Sequence, residues 1–178
     1  MRKSTLLTAV LFFLLSTGFA WAFEPDTSNE MELDVAKAIL DVKKADPGIE
    51  KFFNEAAGYA VFPSVGKGAI GVGGAHGKGL VIVNDKAIGK TSLSQVTVGL
   101  SLGGQKYAQF IFFKDDVALG HFKRGNYEMG AQASAVAVTA GASADADYDK
   151  GVAVFTNIGG GLMADASVGG QKFTFEAF

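Results

Sequence analysis

The chain contains no cysteine. This absence excludes disulfide bonds, thiolate metal ligands, cysteine nucleophiles and an N-terminal lipid attached through cysteine. Two histidines, well separated in the sequence, are too few to predict a transition-metal site. We therefore predict no metal and no other cofactor. Beyond residue 22, no apolar run approaches the ~20 residues that a membrane-spanning helix needs.

The first 22 residues have the three parts of a signal peptide. Arg2 and Lys3 form a positive start, Leu6–Leu15 is the apolar stretch, and Ala20-Trp21-Ala22 is a cleavage signal before Phe23. The apolar stretch is too short to predict a spanning helix. We therefore expect export, most simply to the periplasm, with or without association with a membrane.

The predicted mature chain is acidic. The whole chain has a formal charge of −2, and removal of Arg2 and Lys3 with the signal peptide makes it −4. Nucleic acid is thus not an expected partner, since binding it needs a field of Lys and Arg. The length after residue 22 suits one domain. We predict a short lead over residues 23–28 and a single domain over 29–178.

Three helices are predicted before and within the strand-rich part. Asn29 followed by Glu32 predicts the start of the first, whose apolar stripe comprises Leu33, Val35, Ala36, Ile39, Leu40 and Val42. Pro47-Gly48 ends it. A second helix fits Ile49–Ala56, with Asp46 as its cap and Phe52 and Phe53 facing inward. A third is capped by Asp115 or Asp116 and stops at Gly125.

From Gly58 onward, apolar residues recur at every second position, which predicts β-strands. They are expected near Tyr59–Phe62, Gly68–Gly74, Gly79–Val83, Gln95–Gly103, Tyr107–Phe113, Tyr127–Val138, Val152–Thr156, Leu162–Val168 and Lys172–Phe175. Turns are expected at Asn84-Asp85, Gly103-Gly104, Asp145–Gly151, Gly159-Gly160-Gly161 and Gly169-Gly170. The fold class is therefore α+β, with N-terminal amphipathic helices packed on a curved antiparallel β-sheet that could close like a barrel.

Three short motifs resemble those of nucleotide-binding, hydrolase and calcium sites, but the sequence in or around each motif does not fit such a site. Residues 66–71 match G-x-G-x-x-G, yet strand pattern follows where a dinucleotide site needs a helix. Residues 99–103 match G-x-S-x-G inside an alternating strand, without the turn of a nucleophile elbow. The Asp145–Asp149 segment starts like a calcium loop, but Lys150 replaces its glycine and Thr156 its glutamate. We therefore predict no enzyme activity.

Several ordered blocks carry a likeness to a known family. They are the glycine-rich stretch Gly58–Val83, Ser92–Gln95, Val98–Gln105, Phe110–Phe113, Gly125–Ala131 and Gly161–Ala164. In this order they resemble the SYLF domain, a lipid-binding family also called Ysc84-like. The resemblance spans roughly Leu33 to Phe175. It implies a non-enzymatic protein that binds lipids, phosphoinositides among them.

The resemblance implies that basic and apolar residues of the N-terminal region meet the lipid. By position these correspond to Lys37, Lys43, Lys44 and Lys51. Lys67 and Lys78 in the glycine-rich stretch could also reach head-group phosphates, while Phe62, Val65 and Ile70 are candidates to contact acyl chains. Acidic residues lie between these lysines in the N-terminal helices and reduce the positive potential there. The expected partner is an anionic phospholipid at a membrane surface, or a hydrophobic molecule held inside the sheet.

Two other functions stay open at this point. One is a structural or interaction protein of the cell envelope that has no small ligand. The other, less favoured, is a small outer-membrane barrel, which the glycine- and aromatic-rich strands suggest. Against a barrel, the parity of the last strand is wrong, because Phe173 and Phe175 alternate with Thr174, Glu176 and the terminal Phe178.

Overall fold

The computed structural model describes residues 23–130, 136–168 and 170–178, so the predicted signal peptide lies outside the described residues. Within them the fold is α+β, with three α-helices and a sheet curled into a half-barrel. None of the described helices is both long and apolar enough to cross a membrane. The helices are α1 (Glu30–Ala45), α2 (Glu50–Glu55), preceded by a 3-10 turn over Pro47–Ile49, and α3 (Asp116–Lys123). The strands are β1 (Gly58–Val83), β2 (Lys86–Phe113), β3 (Tyr127–Met129), β4 (Val136–Ala137), β5 (Val152–Val168) and β6 (Gln171–Ala177).

The start of α1 is capped as the sequence predicts, with one change. Asn29 Oδ1 accepts a hydrogen bond from the Met31 backbone N–H at 3.1 Å. Glu32 Oε1 accepts from the Asn29 side-chain amide at 3.0 Å, and Glu32 Oε2 accepts from the Asp26 backbone N–H at 2.7 Å. The glutamate thus fixes the lead segment and the cap side chain rather than the cap's own N–H.

The buried side of α1 differs from the predicted apolar stripe. Val35, Ala38, Ile39 and Val42 are buried, whereas Leu33 is 43% and Leu40 54% exposed. The reason is geometric. At 3.6 residues per turn, Leu33 points roughly 200° away from Val35, and Leu40 is related in the same way to Val42. Val35 and Val42 can face the sheet only if Leu33 and Leu40 face solvent. The prediction of a single apolar stripe that includes all four residues is therefore wrong.

Asp46 joins the end of α1 to a distant loop. It is 1% exposed, and its carboxylate accepts hydrogen bonds from the backbone N–H groups of Gly48 (3.1 Å), Gly141 (3.3 Å) and Ser143 (2.7 Å). Burial alone would raise the pKa of Asp46, but these hydrogen bonds more than offset it and hold the pKa below its ordinary value. Asp46 thus caps the 3-10 turn Pro47–Ile49, whereas it was predicted to cap the second helix. The N-cap of α2 is Ile49, which makes no side-chain capping hydrogen bond.

The glycine-rich segment forms a very long hairpin. β1 and β2 pair antiparallel along nearly their whole length and turn at Asn84-Asp85, where φ is 48° and 60°, as a two-residue hairpin turn requires. Three predicted strands merge into β1 and two into β2. The turn expected at Gly103-Gly104 lies inside β2, and the one expected at residues 159–161 lies inside β5. Those two predictions are wrong, because continuous pairing with a neighbour overrides the local preference of glycine for turns.

β2 is the central strand of the sheet. β1 covers one of its edges, while the other edge is shared between β6, along Gly89–Gln95, and β5, along Val98–Phe113. β3 extends the sheet beside β6, and β4 pairs in parallel with β5. The predicted strand Tyr127–Val138 is therefore two short strands on different neighbours, and residues 131–135 between them lie outside the described part.

The sheet buries both of its faces. Phe110 and Phe112 of β2 lie in a cluster with α1 and α2, whereas Ile111 and Phe113 lie in a second cluster with α3. Aromatic contacts continue the first cluster, with Phe53 packing edge-on against Phe112 at 4.8 Å between ring centres. A strand buried on both sides explains why residues 110–113 are continuously apolar rather than alternating.

The long hairpin bends back so that the two halves of β1 touch. A Cβ placed on Gly79 would overlap the carbonyl oxygen of Val61 and lie 3.0 Å from the Phe62 ring. A Cβ on Gly77 would lie 2.7 Å from Val65 Cγ2. Only glycine leaves room for two backbones this close.

We predict that Gly79→Ala destabilises the fold by about 1–3 kcal/mol, since the added methyl group must displace the Val61 backbone. The free energy of unfolding from urea titration measures this. Gly66→Ala, on the same strand, is the matched control, because a Cβ there meets no heavy atom within 4 Å. Equal stability of the two variants would contradict the close contact.

We predict that the Asp46 hydrogen bonds make stability depend on pH. The folded-state pKa lies below the ordinary value of 3.8, so the stabilisation is full above that value and is lost as the pH falls through the folded-state pKa. Asp46→Asn should cost about 1–3 kcal/mol at neutral pH, and this difference should shrink in acid. Asp145→Asn, at an exposed position, should retain wild-type stability at both pH values.

Candidate functional site

The exposed side of α1 carries alternating leucines and lysines. Leu33, Lys37, Leu40 and Lys44 are separated by four, three and four residues, which places them on one stripe about 60° wide. This stripe is called the α1 Leu–Lys face below. The opposite side of the helix packs on the sheet, so the stripe points to solvent.

The two lysines of the α1 Leu–Lys face differ in their surroundings. The Lys37 side chain is 75% exposed and its Nζ lies 2.8 Å from Asp41 Oδ2. The hydrogen bond and charge of Asp41 raise the pKa of Lys37. Lys44 is exposed and has no hydrogen bond or ion pair with any other described residue. Lys44 is thus the more available cation.

Lys43 and Lys51 are half-buried and contact other residues of the fold. The Lys43 side chain is 22% exposed, its Nζ is 3.3 Å from Glu50 Oε1, and it lies 4.9 Å from the centre of the Phe53 ring. Lys51 donates to the Ala144 carbonyl at 3.4 Å and lies 4.9 Å from the Phe52 ring. The structure therefore does not place the four N-terminal lysines on one surface.

The apolar residues proposed to touch acyl chains are placed differently from the expectation. Phe62 and Val65 are both 0% exposed and belong to the cluster packed beneath α3. As candidates for a surface contact they are wrong, because neighbouring side chains of the same protein cover them. Ile70 lies in β1, but its side chain lies outside the described part. Lys67 is half-buried on β1, and Lys78 is exposed.

Sequence reasoning missed Leu33 and Leu40 as candidate contacts. It assigned them to the core because they match a helical apolar period. The sequence did contain a signal for their exposure. In α1, two pairs of apolar residues are each spaced seven positions apart, Val35 with Val42 and Leu33 with Leu40, and the two pairs lie on opposite sides of the helix. Only one pair can be the buried one, so the other had to be exposed.

Two grooves lie beside α1. One of about 420 Å³ has charges of both signs, with Asp34, Lys37 and Asp41 of the helix facing Lys106 of β2. The other, of about 490 Å³, lies near the start of the helix and includes Lys78, which the sequence had singled out. Grooves of this size suit small ligands or head groups.

The motifs that resemble enzyme sites lie in other structural contexts. Residues 66–71 and 99–103 fall inside β1 and β2, as their strand patterns predict. Residues 145–151 form an irregular loop with a turn only at its end, and the Tyr148 backbone N–H donates to Asp147 Oδ1 at 2.7 Å. In the described part of the chain, no three His, Asp or Glu side chains come together in a group that could hold a metal ion.

Comparison with known proteins shows a distant similarity. No family model matches the chain. The chain is similar to the protein named beta cell expansion factor A of Aeromonas veronii, with 29% identity over 155 residues. The match covers 84% of this chain and 59% of the relative's length. That name does not describe a ligand, so the resemblance to the SYLF family stays a prediction.

We predict that an amine-reactive reagent labels Lys44 faster than Lys43. Lys43 is held by Glu50 and lies against the Phe53 ring, so its ammonium group meets the reagent less often. Mass spectrometry of peptides after brief acetylation measures the two rates. Glu50→Gln should raise the rate at Lys43 and leave Lys44 unchanged. Equal rates in the wild-type protein would contradict this description of the helix.

Proposed function

We propose that this chain is an exported, non-enzymatic lipid-binding protein that associates peripherally with anionic phospholipid through the α1 Leu–Lys face. One observation carries the proposal. Leu33 and Leu40 stay 43% and 54% exposed, and they alternate along the helix with the exposed Lys37 and Lys44. Interfacial helices use this combination, with apolar side chains entering the acyl boundary while lysines meet head-group phosphates. The other side of the helix packs on the sheet, where Val35, Ala38, Ile39 and Val42 are buried.

The expected binding is weak and reversible. Burying the exposed half of each leucine contributes about 1 kcal/mol, and each lysine near an anionic surface contributes about 1 kcal/mol. The sum of roughly 4 kcal/mol corresponds to a dissociation constant of about 1 mM in lipid. Sedimentation with vesicles should therefore be performed at millimolar lipid.

The acids beside the face limit how far charge alone can act. Asp41 pairs with Lys37, and Asp34 faces the same groove. Binding should depend on both the leucines and the lysines, because neither contribution alone exceeds about 2 kcal/mol. Added salt should remove the lysine contribution and leave that of the leucines.

We predict that the purified protein sediments with phosphatidylglycerol vesicles and not with phosphatidylcholine vesicles, and that high salt weakens binding. Leu33→Ser with Leu40→Ser should reduce binding about tenfold or more, and Lys37→Glu with Lys44→Glu at least as much. The bound fraction after centrifugation measures each effect. Circular dichroism should show unchanged folding, since all four side chains lie on the outside of the helix.

Matched controls lie on other exposed parts of the chain. Val117 is 68% and Ile158 54% exposed, so Val117→Ser with Ile158→Ser removes a comparable exposed apolar area. Lys114→Glu with Lys123→Glu makes the same change in charge next to and on α3. Both controls should bind like the wild type. Loss of binding in the controls would contradict the assignment to α1, and no vesicle binding by the wild type would favour an envelope interaction protein.

A further inference from the structure

The groove near the start of α1 has an organised polar wall. Lys78 of β1, Ser92 of β2 and Thr174 of β6 are direct cross-strand partners, and Lys90 and Glu176 form the neighbouring pair. Since alternate residues share one face of a strand, all five lie on the same side of the sheet. They line a groove of about 490 Å³ together with Met31 and Leu80. This groove is called the Lys78–Lys90 groove below.

The charges in this groove do not balance. Lys78 and Lys90 are diagonal neighbours on adjacent strands, a spacing of about 7–8 Å that long side chains can bridge. Glu176 faces Lys90 as its cross-strand partner, and neither lysine forms an ion pair within the part of the chain that the structure describes. Lys90 Nζ lies 5.9 Å from the centre of the exposed Phe178 ring. Two cations against one carboxylate leave one positive charge.

The hydroxyl groups add a donor at the centre of the groove. Ser92 Oγ and Thr174 Oγ1 lie 2.7 Å apart and share one hydrogen bond. That bond uses one of their two protons, which leaves the other for an acceptor in the groove. Thr91 is committed elsewhere, since its hydroxyl donates to the Thr174 carbonyl at 2.7 Å. The available donors are thus two ammonium groups and one hydroxyl.

These donors match one chemical class. A phosphodiester carries a single negative charge, offers only acceptors, and has oxygens on several sides that can meet separated donors. Its two ester arms would lie over Leu80 and Met31, which are buried and half-buried at the base of the groove. We propose that the Lys78–Lys90 groove binds a phosphodiester group. Where that group belongs to a phospholipid, the inference rests on the proposed function and adds a binding site for the head group near the start of α1.

A soluble diester tests the site without a membrane. We expect glycerophosphoglycerol, titrated into the full protein, to shift the backbone amide resonances of Ser92 and Thr174. Lys78→Gln with Lys90→Gln should weaken this binding about tenfold or more. Glu176→Gln should strengthen it, because the carboxylate competes for Lys90, and a merely structural role of these residues would not produce that gain. Lys114→Gln with Lys123→Gln is the control and should change nothing.

Vesicles of phosphatidylglycerol then identify the source of the diester. If the double lysine variant loses both glycerophosphoglycerol and the vesicles, the head group of a lipid occupies the groove. If it loses only glycerophosphoglycerol, the groove takes a soluble diester. The proposal is overturned if the wild type shows no shift, or if the lysine variant binds glycerophosphoglycerol as the wild type does. The variant Leu33→Ser with Leu40→Ser should still bind glycerophosphoglycerol. A failure of vesicle binding through the α1 Leu–Lys face can therefore be distinguished from a failure of diester binding in the groove.

Discussion

The contact between the two halves of β1 determines the architecture. β1 is 26 residues long, far more than a flat strand of a small sheet, and it must bend to bring both of its ends into one core. The bend succeeds because Gly79 lets its backbone lie against that of Val61. Val61, Leu80 and Ile82 then share the cluster beneath α1, while Phe62 and Val81 share the cluster beneath α3. One close approach therefore sets the position of both cores.

The position of α1 follows from this curved sheet. Its Val35–Val42 side fills the first cluster, and Asp46 fixes its end by binding the loop that carries Gly141 and Ser143. The same loop packs Tyr148 against Phe52, with 5.5 Å between ring centres, and burial raises the pKa of Tyr148 to about 12. With both its face and its end fixed, α1 cannot rotate to hide Leu33 and Leu40. Their exposure is thus a property of the packed fold.

Local features could be predicted from the sequence because short-range physics determines them. The cap at Asn29, the cap at Asp115 and the turn at Asn84-Asp85 each depend on a few neighbouring residues, and all three are confirmed. The lengths of β1 and β2 could not be predicted, because a glycine such as Gly103 favours a turn locally and continues a strand only when paired on both sides. The buried side of α1 was likewise ambiguous, since two apolar pairs compete for it. The arrangement of Lys78, Ser92 and Thr174 side by side depends on the contact between Ser92 and Thr174, which are 82 positions apart in the sequence. No local sequence pattern could predict it.

The mixed charges of the surface are consistent with weak, selective contact rather than strong attraction. Most lysines near α1 have an acid within reach: Lys37 has Asp41, Lys43 has Glu50, and Lys90 faces Glu176. Such pairing lowers the long-range field, so a net-acidic protein would not be drawn to every anionic surface. Lys44 and Lys78 have no such acid within the part of the chain that the structure describes, and they lie beside exposed Leu40 and in the Lys78–Lys90 groove respectively. Where the charge is uncompensated, an apolar surface or a set of hydroxyl donors adjoins it. That coincidence of charge with a second kind of contact favours recognition of an amphiphile over nonspecific electrostatic binding.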